Sequence, residues 1–160
     1  MPPDHLPRKW TLRAYGRQVV FVKRPNESSE HVVMKALLWA LYLPQYPALT
    51  VEISVGDRYK PDVVALGPDG QPIFWAEAGE VSVAKVRSLA RRYRHTHFAW
   101  GRWNASLEPV QAIVARALDG LGRTAPFDLI SFPSDSVERF IGDDGSIRVA
   151  LADLRWLRLR

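Results

Sequence analysis

The sequence predicts an α/β fold: a mixed central sheet flanked by helices and preceded by an N-terminal β-hairpin. Three observations carry this reading. Short β-prone runs alternate with stretches of helical periodicity. Two of those runs, 10–15 and 18–23, are separated only by Gly16-Arg17, the spacing of a hairpin. No repeat, low-complexity segment or linker interrupts the pattern. With 160 residues, 47% of them hydrophobic, a single domain over 1–160 with one two- or three-layer core is expected.

After the hairpin, Pro25-Asn26-Glu27-Ser28-Ser29-Glu30 reads as a helix start. Its serines can accept from free backbone N–H groups, and its acids suit the positive helix end. Val33, Leu37, Leu38 and Leu41 then recur at helical spacing, and the helix is expected to stop before Pro44 because a residue preceding proline is disfavoured in the α region. Residues 51–55 alternate Val, Ile and Val with Glu52 and Ser54, as a half-buried strand does, whereas 62–66 is nearly continuous after Asp62 and suits a buried strand. Pro68-Asp69-Gly70 makes a turn, and 73–78 forms the third strand of a meander. Over 83–93, Val83, Val86, Leu89 and Ala90 form one stripe, while Lys85, Arg87, Arg91 and Arg92 occupy the rest of a basic amphipathic helix. A strand at 97–100, a helix at 107–121 ending at Gly120 and Gly122, and a strand at 127–132 before a Pro-Ser turn complete the order. The stretch 146–160 reads two ways. Ile147, Val149 and Leu151 alternate as in a strand, but Leu154, Leu157 and Arg158 could ride on a short helix.

Composition narrows the function classes. Without cysteine there is no disulfide framework, thiolate metal site or cysteine nucleophile, and a cytoplasmic protein is the matching expectation. The opening MPPDHLPRKW lacks the apolar core and cleavage site of a secretory signal, and no apolar run approaches the roughly 20 residues of a membrane span, so no membrane partner is expected. A net charge of +5 permits binding to nucleic acid or another polyanion through counterion release. Of the 22 basic residues 17 are arginine, a bias that high genomic GC content also produces, so charge alone does not identify a partner. The serines lack a nucleophile elbow, and no glycine-rich phosphate loop is present. His95 and His97 alternate at a strand start and would share a face, but two ligands do not make a metal site, and His31 is expected on an exposed helix face.

Three acids fall at the edges of predicted elements: Glu30 at the first helix start, Asp62 at a strand start after Lys60-Pro61, and Glu77 near a strand end. Asp62 and Glu77 would lie on neighbouring antiparallel strands. Two such carboxylates suit a hard cation, which binds through one or two carboxylates plus water and substrate phosphate. Glu77 is the sharpest anomaly, because an unpaired carboxylate in the apolar run Phe74-Trp75-Ala76-Glu77-Ala78 would cost several kcal/mol. Glu30 is equally what any helix start carries.

These segments, in this order and spacing, resemble the YaeQ family, a variant branch of the PD-(D/E)xK nuclease-like superfamily. The likeness rests on Arg24-Pro25-Asn26-Glu27-Ser28-Ser29-Glu30-His31, Pro61-Asp62, Trp75-Ala76-Glu77-Ala78-Gly79, the basic helix and the aromatic strand ending at Gly101. It covers roughly 10–120 and leaves 121–160 as a C-terminal extension. The resemblance implies a restriction-endonuclease-like three-layer core and a nuclease-like, Mg²⁺- or Mn²⁺-dependent activity on nucleic-acid phosphodiester bonds. Asp62 and Glu77 would hold the cation, assisted by the Ala78 carbonyl, with Glu30 reaching in from the first helix. The superfamily's lysine, which orients or activates water, stands two residues after the acid, where this chain has Gly79. Lys85 is the leading candidate for a migrated lysine and Lys60 the second. Glu80 stands where the family pattern carries glutamine, and could instead cap the next helix. Arginines of the basic helix and Arg102, with Tyr93, Trp100 and Trp103, could track a phosphate backbone and stack on bases. The competing reading is a catalytically silent nucleic-acid-binding or protein-interaction domain that kept the fold without the lysine, and a structural assembly protein is a third. The hairpin's exposed edge could serve a dimer.

Overall fold

A computed structural model of the chain describes residues 8–160; the first seven residues of the opening segment expected to lack a targeting signal lie outside the described residues. Strands β1 (Lys9–Ala14) and β2 (Arg17–Val22) form the expected antiparallel hairpin. Its turn falls one residue earlier than Gly16-Arg17, on Tyr15 and Gly16. Both have positive φ, +50° and +73°, the backbone that matches strand twist in a two-residue hairpin turn.

Helix α1 (Ser29–Tyr42) begins where Ser28 Oγ accepts from the His31 N–H at 3.1 Å, and closes when the Leu43 N–H bonds the Trp39 carbonyl at 3.1 Å. Every residue from Val32 to Ala40 is buried. Leu12, Ala14 and Phe21 of the hairpin join the same core as Val63, Phe74, Ala76, Ala99, Ile130 and Phe132 of the sheet, so α1 lies between two apolar surfaces.

The main sheet has six strands in the order β3-β4-β5-β6-β7-β8. They are β3 (Thr50–Val51), β4 (Val63–Leu66), β5 (Pro72–Ala78), β6 (His97–Trp103), β7 (Phe127–Phe132) and β8 (Arg155–Leu159). The meander β3-β4-β5 is antiparallel, β5-β6-β7 is parallel through helices α2 (Val83–Arg92) and α3 (Leu107–Leu118), and β8 returns antiparallel to β7. Side chains of β5–β7 alternate between faces. Phe74, Ala76 and Ala99 enter the α1 core, while Trp75, Phe98, Trp100, Phe127 and Leu129 pack with Val86, Leu89, Val110 and Val114 of α2 and α3. This is the mixed sheet flanked by helices that the sequence predicts.

Three features differ from expectation, and one open reading is resolved. The strand expected over 51–55 ends at Val51, because Glu52 takes φ +55° and only its N–H, bonded to the Asp62 carbonyl at 3.0 Å, continues the pairing. Helix α3 stops at Leu118, where Asp119 leaves helical backbone and Gly120 and Gly122 follow at φ +74° and +63°. A short helix α4 (Ser136–Phe140) stands where the sequence shows only a Pro-Ser turn. The ambiguous C-terminal stretch is a 3-10 turn, Leu151–Asp153, followed by β8. Before it, the chain bonds to β1 through Arg13 N–H to Gly145 O and Ile147 N–H to Arg13 O, both 2.8 Å. Among the described residues no helix is long and apolar enough to cross a membrane.

Candidate functional site

Asp62 immediately precedes β4, whose register pairs Val63 with Ala76 and so brings Asp62 level with Glu77 on β5. Its Oδ2 accepts from the Ala78 N–H at 2.8 Å. Glu77 is buried, only 5% exposed, and its Oε1 accepts from Trp75 Nε1 at 3.2 Å. Lys85 enters from the first turn of α2, a helix capped by Ser82 Oγ, which accepts from the Lys85 N–H at 3.0 Å. The Lys85 Nζ lies 3.2 Å from Glu77 Oε1, 5.0 Å from the Tyr59 ring centroid and 5.6 Å from that of Trp100. The structure thus brings together Asp62, Glu77 and Lys85, three of the residues singled out in the sequence.

Burial is the main force raising the Glu77 carboxyl to about 7, and the neighbouring Asp62 charge adds to it; Lys85 and Trp75 offset only part. Asp62 moves the other way. Burial alone would raise it, but the His31 hydrogen bond, the Ala78 N–H and the His31 charge together hold it below the ordinary aspartate value. Two adjacent carboxyls pushed apart in this way are a common arrangement at sites that handle protons or cations.

The first helix contributes residues the sequence reading did not select. Glu27, His31 and Lys35 are spaced by four, along one line of the helix. His31 Nδ1 bonds Glu27 Oε2 at 2.6 Å and its Nε2 lies 3.4 Å from Asp62 Oδ2, so His31 is half-buried between two acids rather than on an open helix face. The bond to Asp62 is the largest influence raising the His31 pKa. Lys35, buried at 3% exposure, pairs with Glu27 Oε2 at 2.6 Å and with Glu52 Oε1. A cleft of about 290 Å³ opens over this row, lined among others by Arg24, Glu27, His31, Glu52, Lys60 and Asp62.

Glu30 does not line the cleft, and its side chain makes no hydrogen bond or ion pair among the described residues; it stands about 100° around the helix from His31. His31, backed by Glu27 on its other ring nitrogen, stands beside Asp62, where the resemblance has Glu30 reaching in. Lys60 flanks Asp62 at the cleft, Glu80 is exposed, and Ser82 rather than Glu80 caps α2. Gly79 has φ +111°, a conformation in which an L side chain is strained even though a Cβ would meet nothing within 4 Å. That backbone is a physical reason for glycine rather than a side-chain-bearing residue at this position.

Most of the basic and aromatic residues considered for nucleic-acid contact have structural partners. Arg87 Nη1 donates to the Ala117 and Asp119 carbonyls at the end of α3, Arg92 pairs with Asp57, and Arg94 donates to the Leu121 carbonyl. Trp100 is 1% exposed and stacked on Phe127, and the Tyr93 hydroxyl bonds Asp57 Oδ2, so neither is presented for base stacking. His95 is exposed in a turn while His97 is buried in β6, so the two do not form a pair. His97 instead joins a second polar cluster. Its Nε2 bonds Asp128 Oδ2 at 2.7 Å, its Nδ1 meets the Tyr46 hydroxyl at 2.8 Å, and the same carboxylate accepts from Tyr42 and Arg158. Among the described residues no group of three or more His, Asp and Glu is arranged to hold a metal ion, so a cation here would rest on two carboxylates.

Comparison with protein-family models and with curated proteins gives no match. Among solved structures, the chain is similar to the YaeQ protein from Pseudomonas syringae, with a TM-score of 0.61 and 18% identity over 84% of this chain and 75% of that one. It is also similar to the YaeQ protein from Xanthomonas axonopodis pv. citri, with a TM-score of 0.58 and 17% identity over 82% of this chain and 75% of that one. The chain has a YaeQ-like fold.

Proposed function

We propose that the Asp62–Glu77 edge of the sheet is a divalent-metal-dependent phosphodiesterase site acting on nucleic acid. The observation that carries the reading is Asp62 standing level with the buried Glu77 across the β4–β5 register, where burial first and the Asp62 charge second make the Glu77 anion unfavourable. A cation shared by the two would relieve that repulsion, and Mg²⁺ or Mn²⁺ needs no more than one or two protein carboxylates when water and substrate phosphate complete its shell. Asp62 and Glu77 would hold it with help from the Ala78 carbonyl, and a bound cation would polarise the phosphate and activate water. Lys85 Nζ stands 3.2 Å from Glu77 Oε1 and is placed to orient that water. His31, held between Glu27 and Asp62, fixes the Asp62 carboxylate and can exchange a proton at Nε2.

A second reading, a nucleic-acid-binding domain without catalysis, is favoured by one specific observation. Each carboxylate already faces its own cationic partner, His31 for Asp62 and Lys85 for Glu77. Calorimetric titration with Mn²⁺ and Mg²⁺, wild type against Glu77→Ala, separates the two. Saturable binding that the substitution abolishes, followed by metal-dependent cleavage of labelled DNA or RNA, supports the enzyme. Absence of binding in the wild type supports the silent domain.

A further inference from the structure

A second cleft lies away from the carboxylates, at the far end of the hairpin. It measures about 670 Å³ and lies between the β1–β2 turn and the segment 146–150, with Arg13, Tyr15, Arg17, Gln18, Arg148 and Asp153 among its walls. We propose that this cleft binds the phosphate backbone of single-stranded nucleic acid. The proposal extends the reading of the carboxylate site by naming its substrate class, and rests on that reading only for what happens to the strand once bound.

Charge is the first argument. Three guanidiniums face one carboxylate, Asp153, which already accepts from the Ala150 N–H at 3.0 Å. Arg13 Nη1 donates to the Asp144 carbonyl, while the Asp144 carboxylate is taken up by the Ser146 N–H and hydroxyl, both at 3.0 Å. The Arg17 and Arg148 side chains are exposed and have no hydrogen-bond or ion-pair partner among the described residues. They differ in this from Arg87, Arg92, Arg94 and Arg123, which all bond within the protein. Free guanidiniums flanking a cleft match phosphate oxygens, to which they donate in pairs.

The second argument is Tyr15. It is 66% exposed and holds φ +50° at a turn position where asparagine or glycine is the unstrained choice. A large ring held open to solvent beside uncompensated arginines is the pairing that single-strand binders use, aromatic faces for bases and cations for the backbone. Position is the third. Each hairpin strand has six residues, about 20 Å at ~3.3 Å per residue, and the chain leaving β2 runs directly to Arg24, which lines the cleft over Asp62. A strand seated at the tip could follow the hairpin towards the carboxylates.

The test is fluorescence anisotropy with labelled single-stranded 12-mers of DNA and RNA in EDTA, so that the metal site is not read. The 160-residue chain is compared with Arg17→Ala/Arg148→Ala, Tyr15→Asn and Tyr15→Phe, each checked by circular dichroism. The double arginine variant should bind at least tenfold more weakly, with a salt dependence shallower by about 1.4 in log–log slope for two lost phosphate contacts. Tyr15→Asn, which eases the turn, should weaken binding about fivefold or more, while Tyr15→Phe, which keeps the ring, restores wild-type affinity. Wild-type affinity and slope in the double arginine variant overturn the proposal, as does a wild type that binds no strand at low salt or that binds an acidic peptide equally well. Strand binding without metal binding leaves this cleft standing and removes the phosphodiesterase reading; metal binding without strand binding does the reverse.

Discussion

Lys85 Nζ reaches Glu77 Oε1 at 3.2 Å, so an ammonium stands beside the buried acid although the position two residues beyond it is glycine. The ion pair does not fully offset the burial of Glu77, whose carboxyl stays raised to about 7. Replacing Lys85 with methionine removes one of the influences that lower this value. The expected outcome is a further upward shift of the Glu77 titration, read by carbon NMR of the side-chain carboxyl. An unchanged titration would show that the pair does not form.

The same acid makes stability depend on pH. Its folded value lies above the ordinary glutamate value of 4.5, so the folded state binds the extra proton between the two values. Its contribution is full below about 4.5 and is lost as pH rises through about 7. Glu77→Gln keeps the shape without the charge and should gain on the order of 2 kcal/mol relative to wild type between pH 5 and pH 8. Urea unfolding at the two pH values measures it, and a pH-independent difference would refute it.

Asp128 has the opposite sign. Burial would raise it, but bonds from His97, Arg158 and Tyr42 hold its carboxyl at about 2, below the ordinary 3.8. Its stabilisation is complete above about 3.8 and fades as pH falls towards 2. Asp128→Ala leaves the buried His97 and Tyr42 without their acceptor, and a loss of about 3–5 kcal/mol is expected from breaking a buried charged network. Thermal unfolding at pH 7 reads the loss, and the variant should also lose much of the wild type's acid sensitivity between pH 4 and 2.

A lysine placed at position 79 should cost stability, because the backbone there suits glycine. Gly79 sits at φ +111°, where an L residue costs roughly 1–3 kcal/mol, so Gly79→Lys should lower stability by about that amount. Equal stability of Gly79→Lys and wild type in urea would mean that the backbone does not dictate this glycine.

The carboxylates are legible in the sequence because each interrupts an apolar strand or stands at its start, and an acid in such a place needs a partner. Lys85 is legible only through resemblance, since a lysine on a basic helix has no local signature. The row Glu27, His31 and Lys35 carries a signal, a lysine within the apolar run Val32-Val33-Met34-Lys35-Ala36-Leu37-Leu38-Trp39. Its meaning depends on the hairpin covering the outer side of α1, which periodicity within the helix cannot reveal. The early end of β3 is hidden for a similar reason. Glu52 alternates correctly for a strand, but its carboxylate is directed to Lys35 by a positive φ that no neighbouring residue announces.

His31 offers a reading of the proposed metal site that does not depend on catalysis. Its pKa is raised above 6.5 chiefly by the hydrogen bond to Asp62, with Glu27 adding to it. The histidine therefore stabilises the fold fully below about 6.5, and this contribution is lost as pH rises through its folded value. A cation bound by Asp62 and Glu77 would draw the Asp62 charge away from the imidazole. Saturating Mg²⁺ should then lower the His31 pKa towards that of Asp62→Asn, an effect followed by proton–nitrogen NMR of the ring. In Glu77→Ala the same Mg²⁺ concentration should leave His31 where it is in the metal-free protein. A His31 titration indifferent to Mg²⁺ in the wild type would place any bound cation away from Asp62, and with it the proposed chemistry.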